Sequence, residues 1–416
     1  MAPDSVRIFT NFTSAIFESS AKLFSQQVKA VYHRHTYHAS PDARNVVVIG
    51  GSFAGLQLAK RLSQSLPSGY RVVLVEKNSH FNFNFNFPRY SVVGDERKAF
   101  IPIGGAFGKS PDGSWEIVRD TVTSVTDREV LLESGQKLPY AYLAIATGFR
   151  QTLPARMVST DRDESCDHIR DLRAKIERAE KIALSTDIRS VYPNKEILLI
   201  HSRDRLLTNF GKRLSDFVES KLESMSIKVM LGERPKLATG NDGKSTVGSD
   251  EKQETGMLVF KDNRKLSFDL IIPCTGAIPN TDFLSLFVPH LLSKTTGRIL
   301  VRPTLQVEDD THPNVFALGD ISESEGPKMG RTAMAQADLV GENIVAMIQG
   351  KGLKEYVPQP IDGMLKLSLG INENVAYVPE GKGGDIMVPG KTKNIDLEVS
   401  QAWWYLGGDM KAELGG

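Results

Sequence analysis

A chain of 416 residues is long enough for two or three domains with proper hydrophobic cores. Its apolar and charged fractions, 40% and 24%, exclude wholesale disorder, and a net charge of +1 excludes the broad basic footprint that nucleic acid follows. Only two cysteines, Cys166 and Cys274, occur and they lie far apart, so neither a disulfide framework nor a redox dithiol is legible and reducing surroundings fit best.

Residues 1–40 stand apart from the rest. In Arg7–Val31, Phe9, Phe12, Ile16, Leu23 and Val31 recur at helical spacing, while Arg7, Glu18, Lys22 and Lys29 fall on the opposite side. His33, Arg34, His35 and His38 follow. Three readings stay open: an interfacial helix on a membrane surface, a mitochondrial presequence, or a helix packed on the protein's own body. The expected location is accordingly cytoplasmic, peripheral on a membrane through this segment, with mitochondria as the alternative. The longest apolar runs elsewhere, such as Val46–Ile49 and Leu270–Ile272, are strand-sized, so no membrane-spanning helix is expected.

From Pro41 onward, short β-branched runs alternate with helical stretches, which predicts an α/β architecture with parallel sheets. Val46–Ile49 reads as a strand, Leu56–Leu66 as a helix and Val72–Glu76 as a second strand; Leu143–Thr147 closes this first unit, residues 41–152. A second unit, residues 153–280, holds a charged helix over Asp167–Ala179, a strand over Glu196–Ile200, a helix over Lys212–Met225 and a strand over Ile227–Leu231. Gly240–Thr255 is rich in Gly, Ser and charge and predicts a loop or hairpin. Leu270–Pro273 reads as a buried strand, with Cys274 on it as a small apolar residue. Residues 281–350 return to the first unit through a strand at Val315–Leu318 and a helix at Met334–Met347. Residues 351–416 form a small C-terminal domain of short strands and turns. Its late aromatics, Trp403, Trp404 and Tyr405, read as core or dimer contact before acceptor pocket.

The strongest motif is Val46-Val-Val-Ile-Gly50-Gly51-Ser52-Phe53-Ala54-Gly55, a glycine frame with Ser52 at its second position. Gly50 permits a tight turn, a small residue at 52 lets backbone approach a pyrophosphate, and Gly55 lets helix pack on strand. The helix start offers free N–H groups to the phosphates. Glu76 ends the second strand about 20 residues later, where an acid bonds both hydroxyls of an adenosine ribose. That unit alone does not separate FAD from NAD; two later motifs do. Ala144-Ile-Ala-Thr147-Gly148 closes the first domain, and Asn314-Val-Phe-Ala-Leu-Gly319-Asp320 puts a carboxylate at a strand's C-terminal edge, within reach of a ribityl chain.

Together these motifs resemble the two-dinucleotide-domain flavoproteins of the pyridine nucleotide-disulfide oxidoreductase superfamily. That family contains type II NADH dehydrogenases and apoptosis-inducing factors, and within it the chain is most similar to the ferroptosis suppressor group, also called mitochondrion-associated inducers of death. The resemblance runs from about Arg44 to Met410. It implies Rossmann-like FAD- and NAD(P)-binding domains of three layers, the second inserted in the first, with a small C-terminal domain. It also implies that Gly50, Gly51, Ser52, Phe53, Ala54, Gly55, Glu76, Lys77, Thr147, Gly148, Gly319 and Asp320 contact FAD, with Arg89 and Val122 as further contacts. Lys328-Met-Gly-Arg-Thr-Ala-Met-Ala-Gln336 resembles the segment whose helix start faces the flavin's pyrimidine edge, where a positive end stabilises the reduced ring. Lys328 and Gln336 read equally as a solvated loop and an ordinary helix surface.

The resemblance breaks between Gly148 and Gly211, where no glycine occurs. A strand–helix–strand unit takes roughly 30 residues, as Val46 to Glu76 does, but Lys181 to Ile200 offers only about 20. Asp187–Tyr192 reads as the last turns of a helix, so roughly a dozen residues, a strand plus its glycine turn, are missing against the family pattern. A side chain in that turn blocks a second pyrophosphate, and NAD(P)H binding is expected to be impaired. An evolved loss and an incomplete or alternatively spliced sequence explain the gap equally. His201, Ser202, Arg203 and Arg205 follow the strand Glu196–Ile200, which has no acid at its last position; if a nicotinamide cofactor binds, that basic cluster suits a 2′-phosphate, hence NADPH.

The resemblance implies electron transfer from NAD(P)H to FAD and on to a quinone-like or other small acceptor, directly from the flavin because no dithiol relay is present. That chemistry demands no protein acid or base, so no catalytic residue and no metal site are named. Two other classes remain: a FAD-binding signalling or scaffold protein without efficient turnover, and a single-nucleotide oxidase or monooxygenase.

Overall fold

The computed structural model describes residues 24–183, 186–238, 256–274, 276–285, 287–380 and 384–415. Gly240–Thr255 and most of Arg7–Val31 lie outside them. Arg44–Ile49 is the middle strand of a five-stranded parallel sheet, in the order Val315–Ala317, Tyr142–Ile145, Arg44–Ile49, Tyr70–Val75, Trp115–Val118. Its run of β-branched residues is buried on both faces, as a covered parallel strand requires. Val46 and Val48 meet Leu58, Leu62, Val340 and Ile344 of the helices Phe53–Ser63 and Gly330–Ile348. Val47 and Ile49 meet Val125, Val130 and Leu132 of an antiparallel meander on the other face. Successive residues of a strand point to opposite faces, so one run of valines supplies two cores. Each fully buried leucine here contributes about 1.5–3 kcal/mol of transfer energy.

The second unit is a parallel sheet ordered Lys228–Met230, Glu196–Ile200, Lys181–Ala183, Leu270–Ile271. This corrects the expectation that a strand is missing: Lys181–Ala183 is that strand, in register with both neighbours, and Ile182 is fully buried. The shortfall falls on the helix behind it. Thr186–Val191 has six residues, against eleven in Phe53–Ser63. The helix expected at Asp167 begins earlier, at Arg162, because the Asp161 side chain accepts from the N–H groups of Asp163 and Glu164. The strand expected over Leu270–Pro273 is shorter, Leu270–Ile271, and Cys274 is exposed beyond its end rather than buried on it.

Arg89 staples the short helix to the rest. Its guanidinium is 1% exposed, with Nε donating to Asp187 Oδ2 at 2.8 Å and Nη2 to Gly370 O at 3.1 Å. The C-terminal domain is an antiparallel sheet of Leu365–Ser368, Glu373–Pro379 and Asp385–Lys391, followed by the helices Val399–Tyr405 and Met410–Leu414.

Before the first strand, residues 24–36 are helical. The end of this helix is docked on the body: His33 Nε2 lies 2.6 Å from Leu66 O, Arg34 donates to Lys109 O, and the Tyr37 hydroxyl reaches Tyr70 O at 3.0 Å. Phe24, Val28, Val31 and Tyr32 remain exposed. Among the described residues no helix is long and apolar enough to cross a membrane.

Candidate functional site

Parallel strands place their carboxyl ends on one edge, where ligands of open α/β sheets bind. Along that edge runs a cleft of about 2880 Å³, reaching from the glycine turn past the second unit to the C-terminal helix. Gly50, Gly51, Ser52, Phe53, Ala54, Glu76, Lys77, Val122, Thr147, Gly148, Gly319, Asp320 and Lys328 all line it; Gly55 lies just behind the turn.

The turn is closed so tightly that its glycines have no substitutes. Gly50 has φ +97°, and a Cβ on it would meet Ala146 O at 2.7 Å. A Cβ on Gly55 would lie 1.8 Å from Gly50 O. Ser52 heads the helix with extended backbone, its side chain makes no cap bond, and no acid occupies the first turn. The first N–H groups of a helix have no intrahelical partner, so this end presents donors and a positive dipole to the cleft. Glu76 is 7% exposed and braced over the turn: Oε2 accepts from Gly51 N, and Oε1 accepts from Asn78 N and Nδ2, each at 2.7 Å.

The far half of the cleft is set by hydrogen bonds that fix backbone. Thr147 Oγ1 donates to Asn280 O at 3.0 Å, and Asn280 Nδ2 donates to Thr147 O at 2.8 Å. Gln336 is fully buried rather than on an ordinary helix surface. Its Oε1 accepts from Gly319 N at 2.8 Å and its Nε2 donates to Ser324 Oγ at 2.8 Å. Lys328 joins the same network, donating to Ser324 O and Oγ at 3.0 and 2.8 Å, so it is not a solvated loop residue. Burial, with Arg298 nearby, brings the Lys328 ammonium down to about 8. Burial pushes the Asp320 carboxyl up, against the pull of Arg156, Lys328 and Arg298. Arg89 borders the cleft, but its guanidinium is turned to Asp187 and to backbone carbonyls.

Three contributors carry no readable sequence signal. Arg156 lines the cleft from an irregular segment, Asn280 orients the Thr147 turn from 133 residues away, and Gln57 of the helix Phe53–Ser63 accepts from the Tyr405 hydroxyl. Of the late aromatics, Trp403 is core at 2% exposure, Tyr405 packs under the Lys60 ammonium, and Trp404 stands 81% exposed at the cleft. Cys274 also borders the cleft, with its side chain exposed.

Residues 44–337 match the pyridine nucleotide-disulphide oxidoreductase family. The chain belongs to that family. Among its relatives, Fe-regulated protein 8 of Mycosarcoma maydis is 30% identical over 88% of this chain and 95% of its own length. Ferroptosis suppressor protein 1 of Xenopus tropicalis is 28% identical over 89% and 97%. The sulfide:quinone oxidoreductase of Aquifex aeolicus shares the fold, with TM-score 0.68 at 15% identity over 88% of this chain and 92% of that one. The family is one of FAD-dependent oxidoreductases with two Rossmann-like domains, and the two parallel sheets described above are those domains.

Proposed function

We propose that this chain is a FAD-dependent oxidoreductase that takes electrons from NAD(P)H and delivers them to a quinone-like or other small acceptor, with nicotinamide binding weakened. The observation that carries the FAD reading is the cradle around Gly50 and Gly55, which a single Cβ would fill, beneath a braced acid at Glu76. The helix start at Phe53 takes the pyrophosphate, Glu76 the adenosine ribose, and Asp320 the ribityl hydroxyls. The Thr147–Gly148 turn and Lys328 hold the flavin end. Bound there, FAD supplies two-electron chemistry between donor and acceptor.

An apolar acceptor suits the cleft's walls, where Phe85, Val158, Ile278 and Trp404 are large apolar side chains left exposed. The weakened donor site rests on the six-residue helix Thr186–Val191 and the glycine-free sequence before it. The same shortness supports a second reading, a FAD-binding signalling or scaffold protein whose turnover is incidental. Anaerobic titration of the purified yellow protein with NADH and with NADPH, followed by a quinone, separates them. Bleaching and reoxidation within a catalytic timescale support the enzyme; a flavin that neither donor bleaches supports the scaffold. A colourless, folded protein that takes up no added FAD defeats both.

The reading extends to location. Phe24, Val28, Val31 and Tyr32 form one exposed helical face with Lys29 and Arg34 alongside, which suits a cytoplasmic protein held at an anionic membrane surface. Co-sedimentation with anionic vesicles tests it, and loss of binding in a Phe24→Ser, Val28→Ser variant is the expected result.

A further inference from the structure

Arg156 is a partly buried cation at the cleft with no ion pair among the described residues. It stands on the segment between the Thr147–Gly148 turn and the helix Arg162–Arg178, where the chain crosses to the second unit, and it lines the cleft. Among the described residues its guanidinium makes no ion pair, and its Nε is shut from water without a hydrogen-bond partner. Native proteins rarely strand a buried donor, because the desolvation is not recovered. The side chain is nonetheless held: its Cζ lies over the Phe149 ring, 4.5 Å from the ring centre, a cation–π contact. Burial works against its charge and Asp320 works for it. Asp320 is the residue assigned above to the ribityl chain, so Arg156 stands on the flavin half of the cleft.

We propose that Arg156 is a flavin-binding residue, its free guanidinium donors meeting the bound flavin near Asp320 and favouring the reduced over the oxidised form. This rests on the FAD reading above. Reduction adds two electrons from the nicotinamide donor, or from dithionite, and one proton, leaving the flavin with one net negative charge at neutral pH. A guanidinium fixed beforehand in a water-poor cleft stabilises that charge without rearranging. Lys328 sits close by but loses its own charge near pH 8, whereas an arginine keeps its charge throughout the working range.

The test is the midpoint potential of the bound flavin, measured by anaerobic reductive titration against a reference dye, with FAD release followed by fluorescence. Arg156→Met is expected to lose at least tenfold in preference for the reduced form, about 30 mV for a two-electron couple. Arg156→Lys recovers most of that loss, and Arg302→Met, which removes a surface partner of Asp310, changes nothing. The difference between wild type and Arg156→Met persists at pH 9. Should Arg156→Met fail to fold, Phe149→Leu frees the guanidinium and lowers the potential in the same direction by a smaller amount. A yellow Arg156→Met protein at the wild-type potential overturns the proposal and leaves the FAD reading intact, as does equal weakening of both redox forms. A wild-type protein that binds no FAD overturns the reading, and the proposal with it.

Discussion

Gly55 sits where the first helix must touch the strand before it, and the contact is backbone on backbone. A Cβ placed 1.8 Å from Gly50 O cannot be accommodated by a side chain swinging away, so Gly55→Ala forces the turn itself to open. The expected outcome is protein that purifies colourless and no longer regains colour on addition of FAD. Glu76 and Asp320 act differently, through charge at two ends of the same cleft. On the FAD reading, replacing each by alanine should remove a charged hydrogen bond of about 1.5–3 kcal/mol, roughly a ten- to hundredfold loss of affinity. Fluorescence titration of apoprotein with FAD reads it, and a change under threefold in both variants would remove these residues from the site. Of these residues the turn, Glu76 and Asp320 were legible in sequence because each sits at a fixed offset from a strand with its own hydrophobic run. Asn280 and Arg156 were not, since long-range backbone fixing and a partly buried cation whose Nε has no partner leave no local pattern.

Between elements, small clasps decide what moves. His312 joins the loop at Asp309 to the meander turn at Asp127, with Nδ1 2.8 Å from Asp309 Oδ2 and Nε2 3.1 Å from Asp127 Oδ1. Burial lowers its pKa, but the two carboxylates outweigh burial and the net shift is upward from 6.5. The His312 bond to Asp309, helped by Thr311, holds the Asp309 carboxyl far below its ordinary 3.8. A raised histidine stabilises fully below its unfolded pKa and loses that contribution as pH rises through the folded value. A depressed aspartate does the reverse, losing it as pH falls. The clasp is therefore strongest between about pH 4 and 6.5. Melting temperature should fall above that window in wild type and be flatter there in His312→Ala; parallel curves would show the clasp contributes nothing.

The helix Val399–Tyr405 offers a sharper contrast. Trp403 is 2% exposed and its Nε1 donates to Lys98 O at 2.8 Å, so Trp403→Ala should cost about 3–5 kcal/mol in denaturant unfolding. Its neighbour Trp404, 81% exposed, should change stability by under about 0.5 kcal/mol on replacement by serine. Sequence showed an aromatic cluster but not which ring was core, because adjacent residues on a helix point in different directions. The strand Lys181–Ala183 is not legible in sequence for a related reason. Three residues are too few to carry a period, and only the two neighbouring strands make them a strand.

At the scale of the whole molecule, the FAD half keeps every element while the second unit is cut short behind its first strand. The body fastens this short helix. Ile188 of the remnant is fully buried with Val92 and Leu369, and Asp187 is paired to Arg89, so the second unit is fastened although its own helix is stunted. On the reading proposed above, stability and donor binding should come apart: the fold is held by contacts of the short helix, whereas a second pyrophosphate needs a close-approach turn and a helix start long enough to carry a dipole. The unmodified chain should have its flavin reduced slowly or not at all by NADH and NADPH, while dithionite bleaches it fully and a quinone restores the colour. Inserting a glycine turn and helix of about a dozen residues directly after Ala183, where the strand ends, restores the length of a strand–helix–strand unit and should restore rapid bleaching. Rapid-mixing spectroscopy on both proteins decides the matter. If the unmodified chain bleaches as fast as the repaired one, the short helix is sufficient for the donor, and the weakness assigned to this unit is wrong.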